Sequence, residues 1–158
     1  MSRGPGRIER AIEAAFQQHP TTTFSAGELC LISYPGINQP EKRHRVSVIR
    51  AADKVAPRLH WRYRHAERPG GENVYFNLLN VRSYALGKLR CTSSYVRLAD
   101  LEERVDNPDA YRSEWARCQP GGVWWRHVEI HRADIAGDAD ESSRLQEELK
   151  GLVLKGSY

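Results

Sequence analysis

Arg43, Ser47, Arg50 and Lys54 follow one another at intervals of four, three and four residues. At about 100° per residue, that spacing gathers all four side chains into one outward stripe on a helix. Guanidinium, hydroxyl and ammonium groups donate hydrogen bonds to phosphate oxygens and to the acceptor edges of bases, and arginine can pair bidentately with guanine. Every charge on the stripe is positive, and Lys42, His44 and Arg45 add to its N-terminal end. The chemistry this pattern points to is capture of a polyanion.

His127, Glu129 and His131 form a second group able to do chemistry. The alternation from Val123 to His131 predicts a strand with Trp124, Arg126, Val128 and Ile130 on one side and Trp125, His127, Glu129 and His131 on the other. Imidazoles on one strand face can ligate zinc. Alternate residues along a strand are spread too far for all three to meet one ion, and no fourth ligand is visible, so a polar sheet face without metal is expected. The chain contains no P-loop, G-x-G-x-x-G, G-x-S-x-G or H-E-x-x-H pattern. No catalytic residue and no cofactor are therefore expected. Cys30, Cys91 and Cys118 are odd in number and widely spaced, which argues against a disulfide framework or a thiolate zinc site. Cys30, in an apolar run, reads as a core residue.

The stripe needs a helix to carry it. Asn38 is a good N-cap, Pro40 suits a first turn, and Glu41 stands three residues after Asn38, so a helix is expected over about 39–56 and ended by Pro57. Its buried side would be Val48, Ile49, Ala52, Val55 and Ala56. Two helices precede it. Arg7 to Gln18 places Ile8, Ala11, Ile12, Ala15 and Phe16 on one face and stops at His19-Pro20. Ser25-Ala26-Gly27-Glu28 is a capping box, with Phe24 placed to staple Leu29. Leu29, Cys30 and Ile32 form its expected buried face, and Tyr34-Pro35-Gly36 ends it. Beyond the third helix, Leu59, Trp61, Tyr63 and His65 alternate with His60, Arg62 and Arg64. A turn at 68–72 and a returning run from Asn73 to Leu79 complete a hairpin whose Gly-rich tip, carrying Arg68, is expected to be mobile. Trp61 and Tyr63 are expected in the core beneath it.

Helix, short helix, tight turn, basic helix and hairpin, in that order over about residues 7–90, resemble the winged helix-turn-helix superfamily. The resemblance implies double-stranded DNA as the partner, with the third helix in the major groove and the hairpin over about 59–79 lying as a wing on the adjacent backbone or minor groove. It implies groove contacts from Arg43, Ser47 and Arg50. It implies phosphate contacts from Lys42, Arg45, Lys54, Arg62, Arg64 and Arg68, which would make affinity fall with salt.

Composition fits a folded chain, since 40% hydrophobic and 28% charged residues leave no room for wholesale disorder. The apolar runs are too short to span a membrane, and Met1 to Arg7 leads into a charged helix, so a cytoplasmic address is expected. The net charge of +4 conceals a division. Residues 1–90 hold 15 Lys and Arg against 7 Asp and Glu, whereas residues 91–158 hold 9 against 13. A basic unit over 1–90 followed by an acidic extension over 91–158 suggests separate roles. Helices are expected over 80–90, 94–105 and 107–118 and from Glu141 onward, where Leu145, Leu149 and Leu152 form a stripe. The fold class expected is therefore α+β: a three-helix winged unit with a hairpin wing, then a mostly helical extension containing one strand. The extension's Trp and Leu content suits dimerisation, so a homodimeric, sequence-specific transcriptional regulator is the expectation. The alternative is a protein-interaction adaptor on the same scaffold, without DNA binding.

Overall fold

Ile12, Ala15 and Phe16 recur at helical spacing, and they form the buried side of α1 (Arg7–Gln18). The computed structural model describes residues 6–93 and 97–156. After α1 come β1 (Thr23–Ser25), α2 (Ala26–Ser33), α3 (Lys42–Arg58), β2 (Trp61–His65), β3 (Asn73–Asn77) and α4 (Val81–Thr92). Four further helices follow: α5 (Leu98–Asp106), α6 (Arg112–Arg117), α7 (Val123–Ile135) and α8 (Ala139–Leu154). The result is an α+β fold in which a small antiparallel sheet, ordered β1-β3-β2, lies among helices. No helix among the described residues is long and apolar enough to cross a membrane.

The central strand explains how the two parts of the chain share one sheet. Val74, Tyr75 and Phe76 are all buried, so β3 is covered on both faces. Tyr75 points into a core built by α1, α2 and α3, where Trp61 stacks on Phe16 with centroids 4.1 Å apart and planes 4° from parallel. Phe76 points the other way, into a second core with Leu86 of α4, Leu101 and Val105 of α5, and Trp124 and Val128 of α7. That second core straddles residue 90. A smaller cluster of Ile130, Ala133 and Leu145 joins α7 to α8.

The capping box at Ser25 forms in full. Ser25 Oγ accepts from the Glu28 backbone N–H at 3.1 Å, and the Ser25 N–H donates to Glu28 Oε1 at 3.0 Å. Ser25→Ala removes one orphan-donor partner and is expected to lower stability by about 1 kcal/mol. A urea midpoint unchanged from wild type would show the cap to be dispensable.

Several boundaries differ from expectation, each for a local reason. α3 begins at Lys42 with Glu41 as its cap, not at Asn38, because Pro40 holds the residue before it away from the helical region. It runs through Pro57, whose missing N–H forfeits only the bond to the Asp53 carbonyl in the last turn. Within α2, Leu29 and Cys30 are buried but Ile32 is 40% exposed. α5 starts at Leu98, and the first residues of the helix expected from Ser94 lie outside the described residues. At Asn107-Pro108 the side chain caps a turn, accepting from the Asp109 and Ala110 N–H groups, and helix resumes only at Arg112.

The largest correction concerns Val123 to His131, which is the start of α7 and not a strand. The β-branched and aromatic residues there also satisfy a helical stripe, since Trp124, Val128 and His131 are spaced by four and three. Gly122, in an extended conformation, starts the helix by accepting from the Arg126 N–H at 3.0 Å. The regular elements of the extension are thus all helices among its described residues, and the sheet gains its third strand from Thr23–Ser25, a run too short to announce itself by periodicity.

Candidate nucleic-acid interface

Helix α3 buries His44, Val48, Ala51, Ala52, Val55 and Ala56 and turns the side opposite that core outward. Arg43 and Lys54 stand 77% and 71% exposed at the two ends of the stripe, with exposed Arg50 and half-buried Ser47 between them. Arg43 Nε meets Glu41 at 3.0 Å and Lys54 Nζ meets Glu9 of α1 at 3.6 Å. The Arg43–Glu41 pair, exposed on both sides, is weak in water and yields readily to a phosphate. Lys42 is exposed beside them. His44 does not join the cationic end as the sequence suggested. Its Nδ1 accepts the Glu41 backbone N–H at 3.0 Å, and its ring packs on Tyr34 with centroids 4.6 Å apart.

Arg45 projects from a different side of α3, toward the hairpin. A cleft of about 520 Å³ separates α3 from the hairpin tip and is lined by Arg45, Ile49, His65, Arg68, Glu72 and Asn73. Glu72 is held in place by the Gly27 N–H, which donates to its Oε2 at 2.9 Å. The tip is fastened and not free. Arg68 Nη1 donates to the Arg90 carbonyl, and the Glu67 N–H donates to the Cys91 carbonyl, both at 2.9 Å. Gly71 allows the tight return, since a Cβ there would stand 2.5 Å from the Ala66 carbonyl oxygen.

Arg62 and Arg64 are not brought to this surface. Register pairs Arg62 with Phe76 and Arg64 with Val74. Directly paired residues of an antiparallel ladder share a face, so both arginines lie on the side of the sheet that faces α4. Arg64 is engaged by Glu67. Tyr63 pairs with Tyr75 on the α3 side, yet at the sheet's edge it remains 51% exposed, so of the two expected core aromatics only Trp61 is buried.

The helical form of α7 redistributes the second candidate group. His127 and His131 stand one turn apart on the same face, whereas Glu129 turns aside to meet Arg126 at 3.1 Å. Both imidazoles gather on Tyr84 of α4, with centroids at 5.3 and 6.4 Å, and Lys88 Nζ lies 5.6 Å from the centre of the same ring. Burial, aided by Lys88 and His131, pushes His127 down to about 4. Burial lowers His131 and Lys88 too, and it raises Tyr84 to about 12. Among the described residues, no group of three or more His, Cys, Asp or Glu is placed to hold a metal ion. From sequence, Tyr84 reads as one of the apolar residues of the helix expected over 80–90, beside Val81, Ala85 and Leu89, and Lys88 carries no role. The four-residue spacing of Tyr84 and Lys88 on that helix, set beside the same spacing of His127 and His131, is the signal that would have paired them.

Comparison of the chain with protein-family models, with curated proteins and with solved structures yields no match.

Proposed function

We propose that the chain is a sequence-specific double-stranded DNA-binding regulator of winged helix-turn-helix type, with α2 and α3 as the helix pair and β2–β3 as the wing. One observation carries the proposal: the outward stripe of Arg43, Ser47, Arg50 and Lys54 on α3, joined at its N-terminal end by Lys42. A helix fits the major groove, and donors on its outer face reach base edges and flanking phosphates. Arg45 and Arg68, across the neighbouring cleft, suit phosphates on the path between helix and wing. Arg62 and Arg64, on the far side of the sheet, leave the contact set. The α7–α8 hairpin is the proposed homodimer surface, because Ile135, Val153 and Leu154 are 47%, 48% and 87% exposed there. A two-fold dimer would set two copies of α3 into successive major-groove faces.

Selection of bound duplexes from a random pool, followed by titration at several salt concentrations, tests the proposal. Arg43→Ala is expected to weaken binding to the selected site by about 1–3 kcal/mol and to relax base preference. Lys42→Ala is expected to weaken all duplexes alike and to flatten the salt slope by about one unit. Equal affinity for every duplex, unaltered by Arg43→Ala, would refute sequence reading.

A second reading, a protein-interaction adaptor, is favoured by one feature. Leu31 and Ile32 of α2 and Val46 of α3 are 46%, 40% and 39% exposed near the same surface. The adaptor predicts no duplex affinity at physiological salt, which the same titration reports.

A further inference from the structure

Three elements from distant parts of the chain bring cations together on the sheet face turned away from α3. Arg62 and Arg64 come from β2, Lys88 from α4, and His127 and His131 from α7. The positive groups are close enough to disfavour one another's charge. Arg62 and Arg64 act on Lys88, Arg62 and Lys88 act on His131, and Lys88 acts on His127. Among the described residues, the acidic groups that act on them are Glu67, which engages Arg64 and acts on Lys88, the Cys91 thiol, which acts on Lys88, and Asp134, which acts on His131. Two carboxylates among three fixed cations and two imidazoles leave the niche short of negative charge. Tyr84 forms its floor, buried beneath His127 and Lys88.

A protein that assembles such a group pays in repulsion unless an anion completes it. We propose that the niche where β2, α4 and α7 meet binds a compact oligophosphate anion, with Arg62, Arg64, Lys88, His127 and His131 as its donors and pyrophosphate as its smallest form. Guanidinium groups match phosphate oxygens in paired hydrogen bonds, and an ammonium adds a point charge. Each neutral imidazole contributes one N–H and gains basicity once the anion arrives. Size favours a small anion over a duplex. Lys88, His127 and His131 are each half-buried, so their polar atoms are met more readily by a single phosphate group than by the broad backbone of a duplex. Tyr84 is already covered and offers no open face for a base to stack on, so recognition rests on the phosphates. The site is independent of the proposed duplex surface on α3.

Calorimetric titration of the full chain with sodium pyrophosphate, and separately with inorganic phosphate, tests this. The histidine ring signals are followed by NMR in parallel. Saturable binding of one pyrophosphate per chain is expected, with weaker binding of phosphate and movement of the His127 and His131 signals. Lys88→Met keeps an unbranched stem over Tyr84, and Arg62→Gln alters an exposed position; each is expected to weaken pyrophosphate about tenfold or more, or ~1.4 kcal/mol. Duplex binding through α3 is expected to persist in both variants. Absence of saturable binding up to about 10 mM, a range that would reveal even millimolar affinity, would overturn the proposal. Loss of binding in Arg45→Gln but not in Arg62→Gln would also overturn it, since the anion would then sit in the cleft beside α3. Histidine signals that respond to a short duplex as strongly as to pyrophosphate would overturn it too, placing the niche on the DNA surface.

Discussion

Gly87→Ala is expected to destabilise the fold by about 2 kcal/mol or more, although the same change in an open helix would stabilise by nearly 1 kcal/mol. The reason is contact between α4 and the central strand. A Cβ at position 87 would lie 2.4 Å from Phe76 Cγ, 2.5 Å from Cδ1 and 2.7 Å from Cβ. None of these is the tip of a flexible chain. Phe76 is 3% exposed and held edge-on by Tyr84 at 5.7 Å. Its ring cannot rotate away without opening the core it shares with Leu86, Leu101 and Val128. The helix must move instead, and α4 carries Arg90, whose guanidinium pairs with the Glu28 capping box and whose carbonyl receives Arg68 from the hairpin tip. Urea unfolding of Gly87→Ala, Phe76→Ala and the double variant measures the clash. Alanine lacks Cγ and Cδ1, the two closest of the crowding atoms, so the double variant should recover at least about 1 kcal/mol relative to additivity. A strictly additive cycle would show that Phe76 is not the obstacle.

Such a close approach explains which parts of the fold were legible in the sequence. α1 and α2 each bury one stripe, and these two and α4 are stopped or capped by residues of strong local preference, so pattern and structure agree to within a residue or two. The hairpin is legible for the same reason, since Gly70 and Gly71 enforce the return. What pattern could not reveal is long-range. β1 has three residues and exists because β3 offers it a partner 50 residues away in sequence. α7 resembles a strand because Trp, Val and Ile suit both forms, and the choice is made by α4, α5 and α8 packing around it. For the candidate interface, the α3 stripe follows from spacing alone. The placement of Arg62 and Arg64 required knowing that the far side of the sheet was covered by α4. Alternation gave the two faces of β2 correctly, but it did not say which face looked toward α3.

Stability is expected to fall as pH drops from about 6.5 toward 4, with His127 the largest identifiable source. An imidazole of ordinary pKa near 6.5 is held at about 4 here, by burial first and then by Lys88 and His131. The folded-state value is the depressed one, so the unfolded chain binds the proton first. His127 therefore contributes its full stabilisation above about 6.5, loses it progressively through the window down to 4, and adds no further slope below it. At ~1.4 kcal/mol per unit, the loss from this group is at most about 3.5 kcal/mol. His131 moves in the same direction, with Arg62 and Lys88 opposing its charge and Asp134 partly restoring it. Glu141, lowered by Arg144, also weakens the fold in acid, so a comparison with a variant isolates the effect better than the raw slope. His127→Phe preserves a ring against Tyr84 and removes the titration. Its unfolding free energy should change less between pH 7.5 and 4.5 than that of wild type, by about 2 kcal/mol. Parallel profiles for the two proteins would mean that His127 is hydrated enough to titrate normally. Bound pyrophosphate favours the protonated ring, so it should stabilise wild type most near pH 5 and lose that advantage in His127→Phe.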